Sequence, residues 1–332
     1  MLWQEKVSLP RGDLVSMHGK RFDLLAVGNI AFEDVFKVDR IPSFEGTGLI
    51  LGTKTHFGGR AGNIALPLSY LGLKVAVAAF VGEDFEKSCY KQALISNHVN
   101  IDKIHAIRGK ESPRSIVFYA PKGKMFRFFE PIDSSASTLN LRKVDFEHCA
   151  ILYITAFDGE DSIRQIIKEA NGVVKTVVVA LGEEVTRKNA NFLRRIINFG
   201  DYLFLNNFEL KILLERLGLS DTRDLILRSE RLNSVVVTEG NLGSTLYKKD
   251  ETLKIPPVFP DQIVNTLGAG DAYVAGFILG LTKNYEAAKC AKLGSTLSSF
   301  ALEQEGAQPY QIGVPMVKER FKLSFPQEDV LF

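Results

Sequence analysis

The residues Val264-Asn265-Thr266-Leu267-Gly268-Ala269-Gly270-Asp271 join a tight glycine turn to a carboxylate, and they run directly into the small, apolar stretch 272–281. Two glycines flanking Ala269 let the backbone turn sharply and bring its N–H groups close to a bound group. The stretch that follows is long and apolar enough for a buried helix. A helix N-terminus offers unpaired amides and a partial positive charge, which together bind phosphate. Asp271 places a base in the same turn. The same four residues also read as a tight loop whose Asp caps a core helix.

A second glycine loop, Gly58-Gly59-Arg60-Ala61-Gly62-Asn63, opens a second apolar segment, Ile64 to Gly72, with Pro67 expected near the first turn of its helix. The elements around these loops follow from periodicity. Phe22 to Val27 and Lys74 to Val81 read as buried parallel strands. Strand and helix then alternate, with strands at Ile151–Thr155, Thr176–Ala180, Tyr202–Leu205 and Ser234–Thr238, and helices after Asp161, from about Val185 to Asn198, and onward to about Glu230. Such alternation argues for a parallel sheet with right-handed crossovers. Short segments between Val35 and Phe57 and the hairpin Arg114–Phe129 fall outside this rhythm and are grouped as one small sheet. Helices are expected over Phe85–His98, Ala272–Leu281 and Tyr285–Leu302.

Composition excludes several function classes. At 332 residues and 45% hydrophobic content the chain can bury a large core as one domain with an appendage. Lys plus Arg and Asp plus Glu nearly cancel, at 41 against 39, so no electrostatic case exists for a nucleic-acid or membrane surface. Cys89, Cys149 and Cys290 lack paired spacing and read as buried thiols in a reducing compartment. The polar residues 1–21 resemble no secretory signal, and no run of eighteen apolar residues occurs, so a cytoplasmic protein is expected. The histidines lack metal spacing, and neither the common phosphate loop, nor the full dinucleotide fingerprint, nor a nucleophile elbow is present.

With both glycine loops in view, the chain resembles the PfkB, or ribokinase-like, family of carbohydrate and nucleoside kinases. The first family signature is matched by Gly58-Gly59-Arg60-Ala61-Gly62-Asn63-Ile64-Ala65 with Gly72 and Gly82, and the second by Asn265 through Asp271 and Ala275-Gly276-Phe277-Ile278. The resemblance covers about Phe22 to Pro309. It implies a three-layer α/β/α sandwich with a mainly parallel central sheet and a small β-sheet lid. Residues 1–21 would then be a leader and 22–332 the kinase domain, with lid segments at about 35–57 and 104–130.

The resemblance also implies roles. Asp271 would be the general base, and the backbone of Gly268, Ala269, Gly270 and Asp271 the anion hole, for transfer of the γ-phosphoryl of ATP to a hydroxyl of a sugar or sugar derivative. Glu33 or Asp34, with Asp34 preferred, would bind the acceptor together with Gly58, Gly59 and Asn63. Asn206, Thr238, Gly240, Gly243, Thr266 and Gly306 would border the nucleotide, and Glu209 would order Mg2+ through water. By their residue types alone, Asn206 and Glu209 read as a helix cap and a first-turn acid. Arg60 is read either as a surface charge or as a contact for an anionic substrate group. Many relatives carry Asp where Asn265 stands and use it to hold a monovalent cation, so potassium activation is left open. Ala180-Leu181-Gly182 replaces the Asp-x-Asn-x-Arg segment of many sugar kinases, which leaves a nucleoside kinase of adenosine or cytidine type as an alternative. A non-catalytic ligand-binding relative is the second. Pairing of two chains through the lid is a further implication.

Overall fold

The computed structural model describes residues 22–331, apart from 122–123, 135, 156–158 and 309–311. The expected leader, Met1 to Arg21, and Pro309, where the resemblance ends, lie outside the described residues. Nine strands form the large sheet: β1 (Phe22–Val27), β4 (Val75–Gly82), β5 (Asn100–Ile107), β8 (Cys149–Thr155), β9 (Thr176–Ala180), β10 (Tyr202–Asn206), β11 (Ser234–Thr238), β12 (Ser244–Lys248) and β13 (Thr252–Ile255). Their order is β13-β12-β11-β10-β9-β8-β1-β4-β5, parallel throughout except that β12 runs antiparallel to both its neighbours. The chain builds outward from β1 in one direction and then, from β8, in the other. The crevice at the carboxyl ends of β1 and β8 is therefore a topological switch point, where ligands bind in sheets of this kind.

Burial explains the uninterrupted apolar strands. All eight residues of β4 are buried, because both faces of the sheet are covered. In β1, Leu24 and Ala26 enter a core shared with the helices Arg60–Tyr70, Ala269–Thr282 and Ala287–Leu302, whereas Leu25 and Val27 enter the opposite core with Ile163, Ile166, Leu193 and Ile196. Alternation of side chains along each strand thus generates the three layers.

The small sheet has the order β3-β2-β6-β7, formed by β2 (Ala31–Val38), β3 (Ile50–Gly58), β6 (Arg114–Ala120) and β7 (Lys124–Glu130). Its core pair, β2 and β6, is parallel, and β3 and β7 flank it antiparallel. Residues 104–107, expected in this sheet, instead end β5 on the edge of the large one. None of these four is fully buried, as an edge strand that is only partly covered allows.

Other expectations shift with local chemistry. The helix over Arg60–Tyr70 starts four residues before Ile64, so Pro67 lies in its interior as the eighth residue rather than near its first turn. The segment Val185–Asn198 divides into Glu184–Arg187 and Ala190–Phe199, because Lys188 is extended and Asn189 caps the second helix by accepting from the Phe192 amide. The expected Phe85–His98 helix begins only at Cys89, after a 3-10 turn, and Ser88 caps it. Cys89 sits at that helix start facing solvent, so of the three thiols only Cys149 and Cys290 are buried. Among the described residues no helix is long and apolar enough to cross a membrane.

Candidate active site

Helix Ala269–Thr282 is apolar on nearly all sides and buried, and its N-cap is Gly268 in the left-handed region at φ 72°. A Cβ at Gly268 would lie 2.0 Å from the Ala307 carbonyl oxygen, so both the conformation and the space require glycine. The first helical hydrogen bond runs from the Ala272 amide to the Gly268 carbonyl at 2.8 Å. The amides of Ala269, Gly270 and Asp271 precede it, as a phosphate-binding terminus demands.

Asp271 is the third residue of this helix and makes no capping hydrogen bond. Its carboxylate turns instead to the first glycine loop. Oδ2 accepts from Asn63 Nδ2 at 2.7 Å, and Oδ1 lies 3.6 Å from Arg60 Nη1. The long-range pairing of the two glycine loops thus disposes of the capping reading.

Arg60 is no surface charge. Its guanidinium also reaches Glu183 at 3.1 Å and Glu209 at 3.8 Å, and Arg127 approaches Glu183 from the small sheet at 3.2 Å. Burial raises the Asp271 carboxyl above its ordinary value, while Arg60 and the Asn63 hydrogen bond pull it back. Burial likewise raises Glu209 against the opposing pull of Arg60. Burial acts upward on Glu183 as well, but Arg60 and Arg127 outweigh it and hold this carboxyl down at about 2. For Arg60 itself, burial favours the neutral form, and the carboxylates of Asp271, Glu183 and Glu209 together reverse that.

Asn63 is held from behind. Gln308 Nε2 donates to Asn63 Oδ1 at 3.2 Å and to the Tyr90 hydroxyl at 2.7 Å, and that hydroxyl donates to the Gly58 carbonyl at 2.8 Å. This chain fixes the amide so that its NH2 faces Asp271. Asn63 therefore orients a carboxylate.

Glu33 faces the same crevice. With Arg60, Asn63, Arg127, Glu183 and Asp271 it lines a small polar cavity between the two sheets. Burial pushes its carboxyl up to about 7, partly offset by Arg127 and reinforced by the Asp271 charge. Its Oε2 is buried and has no hydrogen-bond partner among the described residues. Asp34, the preferred candidate, lies on the other face of β2, where Arg114 donates to it at 3.0 Å and Thr55 at 2.7 Å. Successive strand residues point to opposite faces, so only one of the two carboxylates can enter the crevice.

Val35 and Lys37 follow Glu33 on the same face of β2 and line a larger cavity of about 580 Å³, closed by His56, Tyr119, Leu267 and Gly306. The small sheet is fastened to the second glycine loop beside this cavity. The Thr266 amide donates to the Tyr119 hydroxyl at 3.0 Å, and Lys54 pairs with Glu305.

Of the nucleotide-side candidates, Asn206 and Thr238 are register partners at the carboxyl ends of β10 and β11, whereas Thr266 lies against Tyr119 and Gly306 beside His56 of the small sheet. Asn206 and Glu209 form a reciprocal capping box, with bonds of 2.8 and 3.0 Å. The remaining Glu209 oxygen, Oε1, is the one that faces Arg60, which joins this cap to Asp271. Gly240 and Gly243 bound the turn between β11 and β12. Among the described residues no cluster of three His, Cys, Asp or Glu could hold a metal by itself. One or two carboxylates beside bound phosphates are what Mg2+ ordinarily uses, and Glu209 is one such carboxylate, in the first turn after β10. Asn265, the position weighed for a monovalent cation, donates from Nδ2 to the carbonyls of Gln304 and Gly306.

Residue pattern alone missed Glu183, Arg127 and Tyr90. Glu183 follows Ala180-Leu181-Gly182, a segment noted only for what it lacks. Arg127 carried one available signal, a cation in an otherwise apolar hairpin strand.

A family model for pfkB family carbohydrate kinases matches residues 22–312. The nucleoside kinase of Methanocaldococcus jannaschii is 28% identical over 292 residues, 88% of this chain and 94% of that protein. The nucleoside kinase of Methanothermobacter thermautotrophicus is also 28% identical, over 295 residues covering 86% and 91%. The crystal structure of the M. jannaschii nucleoside kinase, an archaeal member of the ribokinase family, superposes with a TM-score of 0.79 at 26% identity, covering 92% of this chain and all of that one.

Proposed function

The chain belongs to the pfkB family and is an ATP-dependent small-molecule kinase, and from that premise we propose that it phosphorylates a sugar hydroxyl carried by a nucleoside, with Asp271 as general base. The observation that carries the mechanism is the position of Asp271: third in its helix, aligned by Asn63, 3.6 Å from the Arg60 guanidinium, and one residue from the exposed backbone of Gly270.

Asp271 accepts the proton of the attacking hydroxyl, and the first-turn amides of Ala269, Gly270 and Asp271 take up the charge developing on the transferred γ-phosphoryl group. Gly268 supplies the turn that aims them. Glu209 would hold Mg2+ through water, and the metal when bound would supply neutralisation of phosphate charge. Glu33 receives an acceptor hydroxyl at its unpartnered Oε2, beside Asn63 and the backbone of Gly58 and Gly59. Asn206, Thr238, Gly240, Gly243 and Thr266 border the nucleotide, while Gly306, given the same role by the resemblance, lines the larger cavity on the acceptor side. The small sheet acts as a lid that excludes water, the competing acceptor. Exposed Phe126 and Phe128 on it support pairing of two chains through that sheet.

Two features favour a nucleoside over a free sugar. The two 28% identical relatives are nucleoside kinases, and the 580 Å³ cavity beyond Glu33 has the room and apolar walls a base requires. An ADP-release assay with magnesium-ATP across nucleosides and the corresponding free sugars tests this. Turnover of a nucleoside is expected; turnover of free sugars alone would return the acceptor to the sugar class.

A further inference from the structure

Asn265 opens the turn that leads to the anion-binding amides. It is buried, its Oδ1 accepts from the Leu267 amide at 2.6 Å, and its Nδ2 donates to the carbonyl oxygens of Gln304 and of Gly306, the latter at 3.3 Å. One donor on one side and two acceptors on the other leave a single sensible orientation for the amide. The backbone joins the same two segments, since the Val264 amide donates to the Leu302 carbonyl at 2.8 Å. Asn265 thus connects the end of helix Ala287–Leu302 and its following loop to the turn entering Gly268.

Converging carbonyl oxygens are what a weakly hydrated cation needs in place of its water shell. Here the side-chain NH2 already faces them. A carboxylate with a bound monovalent cation carries the same net charge as a neutral amide, and the amide supplies its two N–H groups where the cation would supply attraction. We infer that the Asn265 amide replaces a monovalent cation as the positioning group of the anion-binding turn, so that this kinase binds nucleotide and keeps its stability without potassium. The inference rests on the kinase assignment but not on the identity of the acceptor.

The test needs no acceptor. Melting temperature and affinity for magnesium-ADP are measured in potassium chloride and in tetramethylammonium chloride at equal ionic strength, for the wild type and for Asn265→Asp. The wild type is expected to give the same values in both salts. In the variant an oxygen would replace Nδ2 opposite two carbonyl oxygens, so lower stability and weaker binding are expected in tetramethylammonium, with both restored by potassium. Wild-type protein that binds the nucleotide markedly more tightly, or melts markedly higher, in potassium would overturn the inference. So would an Asn265→Asp variant indifferent to the salt. If that variant does not fold, the wild-type comparison decides alone.

Discussion

Asn63 and Asp271 stand 208 positions apart in sequence, yet Asn63 Nδ2 lies 2.7 Å from Asp271 Oδ2. A turn from each glycine loop is thereby locked to the other. Asn63→Ala removes the donor that orients the base and leaves Gln308 without one of its two acceptors. Loss of an aligning bond costs positioning more than binding, so kcat is expected to fall by roughly 10²-fold with KM for ATP little changed. A rise in KM at constant kcat would show that Asn63 serves binding alone.

Arg60 is the strongest influence opposing the burial that raises the Asp271 carboxyl. In Arg60→Gln that burial acts against less opposition, and the base protonates at a higher pH than in the wild type. The acidic limb of the kcat/KM profile is therefore expected to move to higher pH, with activity recovering as pH rises. A uniform loss at every pH would mean that Arg60 does not tune the base.

Glu33 links pH to stability. Its carboxyl titrates at about 7 in the folded protein against an ordinary value of 4.5, so between these values the native state holds a proton that the unfolded chain has released. Stability is full below pH 4.5 and declines as pH rises toward 7, by about 3 kcal/mol at most from this one group. Glu33→Gln should flatten that decline in denaturant titrations across pH 4.5–8, and should raise KM for the acceptor. Parallel stability curves for variant and wild type would refute the buried, protonated Glu33.

Two glycines of the same turn should respond differently. Gly268→Ala forces a side chain into a left-handed conformation, costing about 1–2 kcal/mol before the collision with the Ala307 carbonyl is counted. A marked drop in melting temperature is expected. Gly270→Ala meets nothing within 4 Å and should fold normally, with weaker ATP binding because its methyl stands where phosphate approaches. Equal stability of the two variants would contradict this geometry.

Much of the fold was legible because both faces of the large sheet are covered, which turns β1, β4 and β11 into plain apolar runs. The two glycine loops were legible because backbone requirements are written in residue type. What escaped depended on long-range pairing. The choice between Glu33 and Asp34 turned on which face of β2 meets the crevice, a matter of register that adjacent carboxylates do not reveal. Arg127 and Glu183 come from the small sheet and from the segment after β9, and only tertiary packing brings them to Arg60. Residues 104–107 were grouped with the small sheet because a short, partly covered edge strand carries no uninterrupted apolar run to tie it to the large one.

The role of Asp271 as base is tested by magnesium-ATP turnover on the best nucleoside acceptor, compared between wild type and Asp271→Asn. The variant is nearly isosteric and keeps a polar group beside Asn63 and Arg60, so nucleotide binding should persist while kcat falls by about 10²–10⁴-fold. Unchanged turnover by a folded, nucleotide-binding Asp271→Asn would remove Asp271 from the chemistry.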